Sequence, residues 1–117
     1  MAQIIEMSFQ RLYNLGNDEH VQYSLTLAVT PDDPLDALFE TIDEMLTDLH
    51  PVCPVNHWEL EQYHDWLDMP EAEREDVSPV RLKVWQEQAK LEAAWQAKRR
   101  SALLTLRRLG GTAESSA

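Results

Sequence analysis

Cysteine occurs once in the 117 residues, at Cys53. An internal disulfide is therefore excluded, and a reducing compartment is the simpler assumption. Glycine is nearly as scarce, with three residues and no G-x-x-x-x-G-K-[ST], G-x-G-x-x-G or G-x-S-x-G pattern. The loops that cradle phosphates or raise a nucleophilic serine are missing, so nucleotide-dependent chemistry is not expected. No apolar run approaches the ~20 residues that cross a bilayer. The longest helical stretch is interrupted by Lys90, Lys98, Arg99, Arg100, Arg107 and Arg108, and the segment from Met1 to Met7 has no basic region leading into an apolar core. These absences lead us to expect a soluble, cytoplasmic protein with no membrane partner.

Basic side chains are also few, 10 against 21 acidic ones, for a formal charge of −11. Hydrophobic residues at 44% and charged residues at 26% lie near the globular average. One domain is the natural reading, although a chain this short buries only roughly 65% of its unfolded surface.

The pattern that is present predicts an α+β fold. Ile5, Met7, Phe9 and Tyr13 share one face under a period of two, interrupted by Arg11, while Val21, Tyr23, Leu25, Leu27 and Val29 alternate cleanly. Gly16 and Asn17 can supply the positive φ of the connection, giving an antiparallel β-hairpin. Asp33 is then expected as N-cap and Pro34 as first residue of an amphipathic helix. Its stripe of Leu35, Leu38, Phe39, Ile42, Met45, Leu46 and Leu49 should cover the hairpin. Asn56 and Glu59 read as a capping box for a short helix near 57–68 with an aromatic face. The acidic run 68–76 reads as a solvated connection, and Ser78 with Pro79 starts a long helix reaching Leu109. The expected organisation is a hairpin–helix module over 1–50, a helical extension over 51–109 packed on it or on a partner chain, and a flexible tail over 110–117. At 1.5 Å per residue the long helix spans ~45 Å, so part of it should project or meet a second chain.

Charge is divided along the chain. Residues 1–76 hold 18 acids with Arg11 and Arg74 as the only bases, whereas residues 77–117 hold three acids and eight bases. The bland consequence is that the basic helix folds against its own acidic body or a symmetry mate. A second is that the acidic body is a working surface, its carboxylates imitating phosphates toward a basic protein, with Asp36, Glu40, Asp43 and Glu44 as binding residues. A third makes Lys98, Arg99, Arg100, Arg107 and Arg108 a phosphate-binding arm for nucleic acid.

Chemical sites are weaker. His50, Cys53, His57 and His64 form H-x2-C-x3-H-x6-H. Imidazole and thiolate are zinc-ligand types, but the spacing matches no standard finger, and a small metal-dependent enzyme ranks third. Cys53 lacks the elbow and orienting partner of a nucleophile. No cofactor is expected. Of the four tryptophans, Trp85 and Trp95 are ten apart, which with Leu91 suggests a seam for homodimerisation.

The segment Phe9-Gln10-Arg11-Leu12-Tyr13-Asn14-Leu15-Gly16-Asn17-Asp18-Glu19, followed by a strand and an acidic helix, resembles small uncharacterised proteins of phages and mobile elements with an N-L-G-N-[YF]-E motif. Asn14, Leu15, Gly16, Asn17 and Glu19 match it, and Asp18 replaces the aromatic residue. The resemblance reaches roughly His50 and implies the hairpin-plus-helix arrangement and a mobile-element origin, with no catalytic residue. The expected function is a non-catalytic acidic accessory or inhibitory protein that binds a basic partner, with nucleic-acid binding through the basic helix second.

Overall fold

The computed structural model describes residues 3–116. Met1 and Ala2, which begin the segment searched for a leader, and Ala117, which ends the expected tail, lie outside the described residues. The architecture is α+β, with the order β1 (Ile5–Gly16), β2 (Glu19–Val29), α1 (Leu35–Asp48), α2 (His57–Asp68), a 3-10 turn (Glu71–Glu73), α3 (Pro79–Arg108) and β3 (Thr112–Ser116). No helix is long and apolar enough to cross a membrane among the described residues. The chain divides into two compact units, Met1–Val52 with Lys98–Ala117, and Cys53–Ala97.

The first unit is built on β2. It pairs antiparallel with β1 from Ile5↔Val29 to Asn14↔His20 and with β3 from Ser24↔Thr112 to His20↔Ser116, giving the order β1-β2-β3. The hairpin is tighter than expected. Asn17 and Asp18 alone form the turn, at φ 51 and 63, with Gly16 at φ 83 and a register shift between Asn14 and Gly16. Asn and Asp tolerate this left-handed region because their short polar side chains can bond locally.

Alternation then selects the core. Val21, Tyr23, Leu25 and Val29 are buried, and Phe9, Tyr13 and Leu27 pack against the cluster that holds the first three. Ile42, Met45, Leu46 and Leu49 of the α1 stripe and its end complete it with Ala102 and Leu106 of α3. Phe39 meets Phe9 edge-on at 5.8 Å, and the Tyr13 hydroxyl donates to the Leu46 carbonyl at 2.6 Å. Arg11, the charged interruption of the inward face, sends its guanidinium to Asp43 Oδ1 at 2.7 Å. A long stem lets such a residue cover apolar surface while its head reaches a counter-ion.

Two local expectations change. Pro34, not Asp33, stands at the N-cap of α1 and provides no side-chain cap. The Asp33 carboxylate instead accepts the Thr30 N–H at 2.6 Å, closing the preceding turn. Thr112–Ser116, read as part of a flexible tail, are strand β3. The cause is the helix end: Gly110 at φ 79 donates to the Arg107 carbonyl, and Gly111 donates to that of Leu106. These are the two bonds of a Schellman motif, which turns the chain sharply away from the helix axis. The residues that follow lie along β2.

The second unit joins α2, the connection 69–78 and residues 79–97 of α3. Asn56 caps α2 by accepting the Glu59 N–H at 3.2 Å. Only half of the expected capping box forms, because the Glu59 carboxylate accepts the Trp85 indole N–H at 2.6 Å and Gln88 Oε1 takes the Asn56 N–H at 2.8 Å. Leu60, Trp85 and Cys53 are buried. Ser78 caps α3 by accepting the Arg81 N–H at 3.2 Å.

Candidate interaction surfaces

Successive helical residues rotate by ~100°, so steps of four, seven and eight place Asp36, Glu40, Asp43 and Glu44 within an arc of roughly 100°. All four are exposed. Asp43 is held by Arg11, while Asp36, Glu40 and Glu44 have no cation within 4 Å among the described residues. The structure therefore brings the acidic residues chosen from sequence onto one solvent-facing stripe. Lys98 shares a cavity of about 250 Å³ with Glu44 and Asp48 but forms no ion pair with either among the described residues.

The basic cluster is less coherent. Arg99 is half-buried and donates to the Tyr23 hydroxyl at 3.0 Å, an internal role that sequence clustering did not reveal. Lys98, Arg100, Arg107 and Arg108 are exposed. Only Arg100 and Arg107, seven apart, share a direction; Lys98 and Arg108 diverge from it by roughly 180° and 100°.

The proposed seam of Trp85, Leu91 and Trp95 also separates. Ten residues make ~2.8 turns, so Trp95 falls roughly 80° from Trp85 around the helix. Trp85 is 4% exposed and is committed to the second unit, with ring centres at 5.6 Å from Tyr63 and 6.0 Å from Trp66. Its ring is therefore packed within that unit and does not form a helix-face seam with Trp95. Leu91 remains 49% exposed, and Trp95 is half-buried.

Among the weak metal candidates, His50 Nδ1 accepts the Val52 N–H at 3.1 Å and its ring lies 4.6 Å from that of Tyr13. Cys53 is buried, and burial, followed by the negative charge of Glu92, pushes its thiol pKa up. A raised thiol pKa disfavours the thiolate that a metal or an electrophile needs. His57 is exposed at the first position of α2. No group of three or more His, Cys, Asp or Glu stands ready to hold a metal among the described residues.

One feature escaped the sequence reading. Trp66, Trp85, Asp65, Glu75, Asp76 and Arg81 line a cavity of about 610 Å³ within the second unit. The connection bordering it is not a loose tether: Trp66 donates to the Glu75 carbonyl at 2.9 Å, and Arg74 donates to those of Leu67 and Met69 at 2.8 and 3.1 Å. The aromatic face of α2 and the acidic run were each visible in the sequence. Their meeting required the tertiary fold.

Comparison with known proteins gives no match: no protein-family model, no curated protein and no solved structure is significantly similar to the chain.

Proposed function

We infer that the chain is a non-catalytic acidic accessory or inhibitory protein of phage or mobile-element type, acting in the cytoplasm on a basic protein that handles nucleic acid. The observation supporting this is the exposed α1 stripe, in which Asp36, Glu40 and Glu44 lack a cation within 4 Å among the described residues. Carboxylates held at intervals of about 6 Å along a helix can receive the same guanidinium groups that grip phosphates. A single-sign patch also speeds encounter with a basic surface and discourages anionic partners. Self-association would use the exposed Leu91 side of α3 rather than Trp85.

The test is capture of a host protein by the immobilised chain, with double-stranded DNA as competitor. Recovery of a basic protein that DNA displaces, lost when Asp36, Glu40, Asp43 and Glu44 are together replaced by lysine, is the expected result. Undiminished recovery by that variant removes the reading.

A further inference from the structure

The cavity of the second unit has the size of a side-chain or small-ligand site, about 610 Å³ against a usual ~300–1,000 Å³. We propose that it receives an arginine side chain presented by a protein partner. Trp66, Trp85, Met69 and Val77 supply aromatic and apolar lining, and the acidic Asp65, Glu75 and Asp76 outnumber the one basic lining residue, Arg81. Those three carboxylates make no ion pair and no side-chain hydrogen bond among the described residues. An anion would be repelled. A purely apolar ligand would strip water from the carboxylates without replacing it, which is costly.

The same unit shows what its indole rings accept. The Arg74 guanidinium lies 5.1 Å from the centre of Trp66, and that of Arg81 lies 5.7 Å from the centre of Trp85. Both fall inside the ~6 Å range of cation–π attraction. Arg74 is not among the residues that line the cavity, whereas Trp66 is. A guanidinium suits this combination better than an ammonium, because it is planar, weakly hydrated and able to stack on a ring while its edge bonds carboxylates.

This inference deepens the basic-partner reading and rests on it for the protein source of the ligand, but it uses none of the α1 carboxylates. The test titrates the full chain, labelled with nitrogen-15, with the peptide acetyl-Gly-Gly-Arg-Gly-Gly-amide while the four indole N–H signals are followed. Saturable shifts confined to Trp66 and Trp85 are expected. Replacing the peptide arginine by neutral citrulline should weaken binding at least ten-fold, and the exposed-site double variant Asp65→Asn with Asp76→Asn at least five-fold. The lysine-substituted α1 variant should bind the peptide as the parent does, so failure of the α1 reading and failure of this one are distinguishable. Absence of saturation by ~20 mM, equal binding of the citrulline peptide, an unaffected double variant, shifts at Trp58 or Trp95 instead, or tighter binding of free argininamide would each overturn the proposal.

Discussion

At the scale of single residues, three polar side chains that enter the interior have specific partners. The Tyr13 hydroxyl finds the Leu46 carbonyl, the Trp85 indole finds Glu59, and Tyr23 receives Arg99. An unpaired buried polar group would cost ~1–3 kcal/mol, so these bonds select one arrangement of the core. Cys53 is different: it is a small buried side chain whose thiol is pushed up by burial first and Glu92 second. Because its folded pKa exceeds its unfolded value, folding favours the neutral thiol. That contribution is complete below the unfolded value of about 8.5 and is lost as pH rises through the higher folded value. Alkylation of the native chain at pH 7.5 should therefore be at least ten-fold slower than in denaturant. The difference should narrow as pH climbs above about 9. Equal rates at pH 7.5, measured by mass spectrometry, would contradict the buried assignment.

At the scale of elements, helix starts and periodic faces were legible because their chemistry is local. Asn56 and Ser78 cap as expected, and the α1 stripe of Ile42, Met45 and Leu46 is buried as its spacing required. The α1 carboxylates were readable for the same reason. β3 was not, since Thr112, Ala113, Glu114 and Ser115 carry no apolar alternation; pairing with β2 and the turn at Gly110 and Gly111 make the strand. The arginine cavity was hidden likewise, because periodicity describes one element at a time and Trp66 and Trp85 belong to two. Gly111 tests the explanation of β3. A Cβ there would meet the Leu106 side chain and stand 2.9 Å from the Ser24 carbonyl. Leu106 is 1% exposed and has little room to yield. Gly111→Ala should cost about 1–3 kcal/mol in denaturant unfolding and speed amide exchange in β2 where it pairs with β3. A fully stable variant with protected amides would mean that the turn does not hold the strand.

At the scale of the molecule, one helix serves two compact units. Residues 79–97 of α3 belong to one and 98–108 to the other, so the excess length anticipated from sequence is divided between two units instead of being carried by one. The boundary falls at Ala97, within an unbroken hydrogen-bonded ladder. Ala97→Pro should remove a bond and clash with the preceding turn, costing about 3 kcal/mol. The unfolding curve, followed by tryptophan fluorescence and by far-ultraviolet circular dichroism, should then separate into two transitions where the parent shows one. A single, merely shifted transition in the variant would show that the units do not depend on the helix for their coupling.

The position of β2 between β1 and β3 imposes an order on biosynthesis. Its first neighbour is made immediately before it, whereas the second emerges only after every other element has been translated. Until β3 is available to pair, one flank of the central strand stays open and vulnerable to intermolecular pairing.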